Sequence, residues 1–242
     1  MKLKPVPVVV ALGIATSIAC FGGGSSAPAN DLKIKIRMVN LGLSTNAASL
    51  YRLDQVGGES LLIPPVETST ISPYVDANLM SEQGRYLTYR AKVDGETIVE
   101  AGFSAEKGTW HTLALVQPSP GTTLARVFPV DLTIPSGLRW NFCVAHMSTG
   151  YAGSIDVFVI RAGQTLATAE RVFTNISQYA ASRYQLDHIG GVQLAFCPTG
   201  TRQNYLTIPF PVDGDARQRR FTVFFRGTGP GEGGFSAVVA RD

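Results

Sequence analysis

Residues 33–38 read KIKIRM, and polar and apolar side chains alternate at every position of this stretch. A period of two is expected for a strand that packs one face against a core and turns the other to water. Similar alternation recurs at 87–93, 192–196 and 221–225. No stretch keeps apolar residues at helical spacing over three turns, so the pattern predicts an all-β protein.

Beyond this strand, the body of the chain is duplicated. Three pairs of segments share a pattern and an order along the chain: 37–41 with 139–144, 70–74 with 175–179, and 110–115 with 220–225. Each copy holds about seven short strands separated by turn residues, as in an immunoglobulin-like β-sandwich. We therefore predict two tandem immunoglobulin-like β-sandwich domains, residues 32–135 and 136–242.

Residues 1–20 have the layout of a secretory signal peptide. A start with two lysines precedes the apolar run Val8–Ile18, which is too short to cross a bilayer. Residues 21–31 are rich in glycine and serine and predict a flexible linker between this signal and the folded body. Ordinary export would remove the signal near Ala19 or after Ala27.

The step from Ala19 to Cys20 resembles the lipobox of bacterial lipoproteins. In those proteins the cysteine becomes the lipidated first residue of the mature chain, so the resemblance implies lipidation at Cys20 and a stable membrane anchor. Phe21, and not an aspartate, follows the cysteine. For such a signal this implies the outer membrane of the bacterial cell envelope, with the face of the membrane left open.

Two cysteines, Cys143 and Cys197, remain in the body. In an exported chain such a pair predicts a disulfide, because the compartment is oxidising. The bridge would close a loop of about 55 residues and stabilise the fold by about 4 kcal/mol in the chain-entropy model. Two buried free thiols are the alternative.

Residues 36–53 give a strand, a loop with serine and a second strand, and residues 154–159 read SIDVFV. These stretches resemble the DUF4397 family of bacterial envelope domains, which often occur in tandem, and the resemblance covers nearly all of residues 33–242. Ile-Ser-x-Tyr steps at Ile71 and Ile176 match the mid-domain turn of that family. The resemblance implies a β-sandwich fold and an envelope location, and it brings no activity with it.

Catalytic and metal-binding motifs are missing from the sequence. The histidines His111, His146 and His188 are scattered, without a second ligand at metal spacing. His111 lies two residues before Leu113, so both side chains should point to the core side of the strand. His111 is therefore predicted to be a hydrogen-bonded core residue. The turn Asp213–Asp215 carries two carboxylates but lacks the other ligands of a calcium loop. We predict no enzyme activity, no metal and no cofactor.

Four tyrosines fall in predicted loops of the second copy: Tyr151, Tyr179, Tyr184 and Tyr205. Such rings can stack on sugars or anchor a protein partner, and they can equally fill the ends of a sandwich. The formal net charge is +3 and no broad basic stripe accompanies it, which argues against nucleic-acid binding.

These observations predict a non-catalytic cell-envelope lipoprotein that displays two β-sandwiches for protein or surface interactions. Its partners would be the membrane, through the lipid anchor, and either an envelope protein or a second copy bound through strand edges. A carbohydrate-binding module is one alternative, and a hydrolase with an unrecognised site is another.

Overall fold

The computed structural model describes residues 33–42, 46–54, 56–79, 86–133, 139–188, 192–210, 219–229 and 234–242. Within these ranges the protein is all-β, with strands β1 to β16 in four four-stranded sheets. The predicted fold class is confirmed. None of the described residues forms a helix of the length and apolarity that a membrane span requires. The signal peptide, Cys20, the whole predicted linker and Asp213–Asp215 lie outside the described residues.

The chain divides into two compact units between Val130 and Asp131. The strands of the first unit are β1 (Lys33–Asn40), β2 (Ala48–Leu53), β3 (Glu59–Val66), β4 (Val75–Asn78), β5 (Tyr86–Val93), β6 (Glu96–Ser104), β7 (Trp110–Ser119) and β8 (Thr122–Val130). The strands of the second unit are β9 (Arg139–His146), β10 (Ile155–Arg161), β11 (Glu170–Ile176), β12 (Gln185–His188), β13 (Val192–Pro198), β14 (Leu206–Phe210), β15 (Arg219–Gly227) and β16 (Phe235–Arg241).

Strand order is the same in the two units. The first unit has sheets β4-β1-β7-β8 and β3-β2-β5-β6, and the second has β12-β9-β15-β16 and β11-β10-β13-β14. In each unit the opening strand runs parallel to the seventh strand, as β1 does to β7 and β9 to β15, and the other pairs are antiparallel. Each described unit therefore has one strand more than the seven expected from the sequence.

Each unit has its own core between its two sheets. In the first unit, Ile36 and Met38 of β1 meet Leu50 and Leu87 of the opposite sheet, and all four are fully buried. The second unit brings together side chains of β9, β10, β13 and β15 in the same way. Burial of one such side chain contributes about 1.5–3 kcal/mol. The alternation at 33–38 thus fixes which face of β1 is apolar.

A serine clamp appears once in each unit. Ser72 Oγ accepts a hydrogen bond from the Met38 amide at 2.9 Å and donates one to the Pro73 carbonyl at 2.9 Å. Ser182 Oγ does the same with the Val144 amide and the Arg183 carbonyl, both at 3.0 Å. The two serines are therefore structural equivalents.

This equivalence corrects the predicted match of 70–74 with 175–179. Ile71 bridges to Val39 of β1, and Ala181 bridges to Ala145 of β9, so Ile71 corresponds to Ala181 and not to Ile176. The prediction followed a local likeness of letters. The structural match depends instead on hydrogen bonds to a distant strand, which the local letters do not encode.

The predicted Cys143–Cys197 disulfide is wrong, because both residues are buried free thiols. Phe142 of β9 and Phe196 of β13 point into the core between the sheets, and the next residue along each strand is the cysteine. Side chains alternate across a strand, so the two thiols project from the outer faces of opposite sheets. A bond between their sulfur atoms would have to pass through the core.

Candidate functional site

Aromatic rings converge at one end of the second unit. The rings of Tyr151 and Tyr205 lie 5.2 Å apart at an interplanar angle of 87°. Tyr205 stacks on Phe235 at 5.0 Å and 19°, and Phe235 stacks on the core residue Phe225 at 4.9 Å and 29°. We call Tyr151, Tyr205 and Phe235, which are all partly exposed, the aromatic end. The stack supports these surface rings directly from the core.

The fully buried side chain of His146 positions the loop that carries Tyr151. Its Nε2 lies 2.9 Å from the Gly153 carbonyl oxygen, and its Nδ1 accepts a hydrogen bond from the Ser148 amide at 3.3 Å. These partners assign the proton of the neutral ring to Nε2. Burial lowers the pKa of His146, which keeps the ring neutral. The imidazole also lies nearly parallel to the Tyr151 ring, at 6.0 Å and 15°.

The same loop is fastened to the end of β15. The Gly227 carbonyl oxygen accepts hydrogen bonds from Ser148 Oγ at 2.8 Å, from the Thr149 amide at 2.9 Å and from the Gly150 amide at 3.1 Å. A β-carbon on Gly150 would lie 1.6 Å from the Thr228 carbonyl oxygen, so only glycine fits there. The loop therefore has little freedom to move.

The four predicted tyrosines do not form one patch. Tyr151 and Tyr205 are in contact, and Tyr179 joins the same end through its amide, which donates to the His146 carbonyl at 2.7 Å. Tyr184 lies elsewhere: its hydroxyl hydrogen-bonds Thr222 Oγ1 at 2.9 Å and donates to Asp242 Oδ2 at 2.8 Å. Tyr184 is therefore committed to a structural contact on the outer face of its sheet.

Sequence reasoning missed two members of this site, Phe235 and His146. Phe235 begins the last strand after a stretch of sequence rich in glycine, and it lies far from Tyr205 along the chain. The two meet because β14 and β16, which belong to different sheets, lie side by side. His146 lies at the same alternate positions of β9 as Phe142 and Val144, so its side chain should point into the core. This spacing was the available signal for a buried ring.

The structure describes the surroundings of one further histidine side chain, that of His111. His111 is buried in the first unit, as predicted, and its Nε2 lies 2.8 Å from Thr109 Oγ1. Burial lowers the pKa of His111 to about 4. His188 belongs to β12, and its side chain lies outside the described part of the structure. The described residues contain no cluster of three groups that could hold a metal ion.

Charged groups on the outer face of the first unit satisfy one another. Arg90 pairs with Glu100 at 2.7 Å and with Glu59 at 3.2 Å, and Lys92 pairs with Glu59 and lies 4.8 Å from the centre of the Tyr51 ring. Such exposed pairs contribute little to stability. Glu100 is thus held in an ion pair with Arg90.

No family model and no curated protein matches this chain. Among solved structures, a family-26 carbohydrate-binding module of Eubacterium rectale Amy13K, in complex with maltoheptaose, is similar at 10% identity, 87% coverage of this chain, 97% of that chain and a TM-score of 0.27. The fimbrial anchor protein Mfa2 of Porphyromonas gingivalis matches at 9% identity, with 80% and 90% coverage and a TM-score of 0.22. A putative cell adhesion protein of Bacteroides fragilis matches at 12% identity, with 82% and 84% coverage and a TM-score of 0.22.

Proposed function

We propose that this chain is a non-catalytic binding protein of the cell envelope, and that the aromatic end of its second unit binds a carbohydrate. The observation that carries the proposal is the contact of Tyr151 with Tyr205 at 87°. Both rings are partly exposed, and Tyr205 stacks on Phe235. Two rings at right angles give a sugar one apolar surface to stack on and a second against its edge. Tyrosine also places a hydroxyl group beside the sugar hydroxyls.

Preorganisation supports this role. The His146 hydrogen bonds and the Gly227 carbonyl hold the loop of Tyr151 before any ligand arrives. Binding to a fixed surface costs less conformational entropy than binding to a mobile loop. A weakly adhesive apolar patch would need none of these buried polar contacts.

The envelope location is part of the proposal and rests on the sequence. The signal layout of residues 1–20 and the lipobox-like step at Cys20 support export and lipid anchoring, and the DUF4397-like segments support the same compartment. Mass spectrometry of the membrane-extracted protein tests this. A mature chain that begins at a lipidated Cys20 is expected, and an intact leader on a soluble cellular protein would contradict it.

Glycan-array binding by the purified exported protein tests the carbohydrate role. We expect Tyr151→Ala and Tyr205→Ala each to reduce binding at least about tenfold, because each removes one of the two contact surfaces. Tyr51→Ala is the matched control, since it removes a partly exposed tyrosine from the first unit and should leave binding unchanged.

Recovery of the bound glycan separates the two alternatives. A binding module returns the glycan intact after prolonged incubation, whereas a hydrolase returns fragments. Should no glycan bind, crosslinking on intact cells with wild type and Tyr205→Ala shows whether the aromatic end anchors a protein instead.

A further inference from the structure

A cleft opens on one flank of the second unit. The chain leaves one sheet at Ile176, the end of β11, and joins the other sheet at Gln185, the start of β12. Between β11 and the segment 180–183 lies a cleft of about 340 Å³. This volume is at the lower end of the range for small-molecule sites and suits a single sugar ring.

The interior of the cleft is apolar. Phe173 and Ile176 line it and belong to the core, with 8% and 5% of their surfaces exposed. Ala180 and Ala181 line the opposite wall, where their small side chains leave room. A ligand that entered the cleft would therefore meet an apolar surface at its inner end.

The rim of the cleft is polar and includes one cation. Asn175, Ser177 and Arg183 line it and are exposed. No carboxylate among the described residues pairs with the Arg183 guanidinium, in contrast to Arg90 and Arg161, which are held in ion pairs. The rim thus offers an amide, a hydroxyl and a positive charge to a ligand.

A buried carboxylate fixes the β11 wall. Asp156 is fully buried, and it accepts hydrogen bonds from the Asn175 amide at 2.8 Å, the Gly200 amide at 3.0 Å and Arg171 Nη1 at 3.1 Å. Burial opposes its ionisation, but these donors outweigh burial and lower the pKa of Asp156. Asn175 is held at a φ of 56°, a left-handed conformation, so its position at the rim is fixed.

The first unit lacks the residues that make this cleft. The serine clamp equates Ser72 with Ser182, so Ile71 stands in the place of Ala181 and Pro73 in the place of Arg183. Isoleucine is bulkier than alanine, and proline carries no charge. The room and the cation are therefore properties of the second unit and do not follow from the fold alone.

We propose that this cleft binds a carboxylate-bearing sugar of the hexuronic acid class. The Arg183 guanidinium matches a carboxylate in shape and charge, and the pair can form two parallel hydrogen bonds. Asn175 and Ser177 are placed to hydrogen-bond ring hydroxyls, and the apolar interior contacts the C–H face of the ring. None of the residues that line the cleft belongs to the aromatic end, and the proposal does not depend on the carbohydrate role proposed for that end.

Titration of the purified exported protein with D-glucuronate and with D-glucose, followed by NMR or calorimetry at low salt, tests the proposal. We expect glucuronate to bind at least about tenfold more tightly than glucose, since only the acid pairs with Arg183. Arg183→Gln should reduce glucuronate binding to the level of glucose. Arg161→Gln, which changes another arginine of the same unit, should have no effect.

Two further variants keep the test decisive. The double variant Ala181→Ile with Arg183→Pro gives the second unit the side chains that the first carries, and we expect it to fold and to lose binding of both sugars. Tyr205→Ala should leave glucuronate binding unchanged, which separates this site from the aromatic end. Equal binding of the two sugars, or full binding by Arg183→Gln, would overturn the proposal.

Discussion

Asn40 and His146 occupy the same position in the two units and make the same pair of hydrogen bonds. Asn40 Oδ1 accepts from the Gly42 amide at 3.0 Å, and its Nδ2 donates to the Asn46 carbonyl at 3.3 Å and also to the Val66 carbonyl at 3.0 Å. His146 Nδ1 accepts from the amide two residues later, that of Ser148, and its Nε2 contacts a carbonyl farther along the loop. An amide and an imidazole thus brace equivalent loops.

This equivalence predicts that asparagine can partly replace His146. His146→Ala leaves the Ser148 amide and the Gly153 carbonyl without their partner and opens a cavity, so we expect the free energy of unfolding to fall by about 3 kcal/mol. His146→Asn restores both hydrogen bonds and should recover about half of that loss. Urea unfolding measures both changes, and equal destabilisation by the two variants would contradict the equivalence.

Stability should depend on pH through the first unit. The pKa of His111 falls from 6.5 to about 4 in the folded state, so the unfolded chain binds the proton more readily. Stability from the neutral ring is therefore present above pH 6.5 and is lost as the pH falls towards 4, by about 3 kcal/mol in total.

A substitution isolates this contribution. Phe221 of β15 pairs with Phe142 of β9, just as His111 of β7 pairs with Ile36 of β1. The second unit therefore carries a phenylalanine at the position equivalent to His111. His111→Phe should flatten the fall in unfolding free energy between pH 6.5 and 4.5. An unchanged slope in that variant would assign the pH dependence to other groups.

Asp156 should be one of the most sensitive positions of the second unit. Asp156→Asn removes the charge that holds Arg171 and weakens two backbone hydrogen bonds, and we expect a loss of about 3 kcal/mol. Because the folded pKa is lowered, the contribution of the carboxylate is present above pH 3.8 and is lost below it. Guanidinium unfolding at pH 7 checks the first effect, and a change under about 1 kcal/mol would refute it.

The free thiols predict that reductant has no effect on stability. Cys197 packs with Phe158 and Ala195 on an outer face, and burial raises the pKa of its thiol to about 11, so it reacts slowly. We expect the same unfolding midpoint with and without dithiothreitol, and labelling of Cys143 and Cys197 by a thiol reagent only after unfolding. A midpoint that falls on reduction would reinstate the disulfide.

The alternation of polar and apolar residues was enough to predict strands and their core-facing sides, because it depends on only a few neighbouring residues. The alternation at 33–38 predicts β1, and the parity of His111 with Leu113 correctly places that ring in the core. The same alternation would also have argued against the disulfide. Cys143 and Cys197 each follow a phenylalanine that points into the core, so both thiols point away from it.

The local sequence pattern could not predict contacts between strands that are distant along the chain. The meeting of Tyr205 with Phe235 depends on which strands become sheet edges, and the match of Ser72 with Ser182 depends on bonds to β1 and β9. Topology decides both, and alternation carries no information about topology. Of the four predicted tyrosines, Tyr151 and Tyr205 therefore belong to the aromatic end, and Phe235 was not predicted.

The affinity of Tyr205 variants for a glycan selected on the array tests the central claim most directly. Calorimetric titration should show at least about a tenfold loss for Tyr205→Ala, a smaller loss for Tyr205→Phe, which keeps the ring, and wild-type affinity for Tyr51→Ala. Wild-type affinity in Tyr205→Ala would show that the aromatic end is not where the ligand binds.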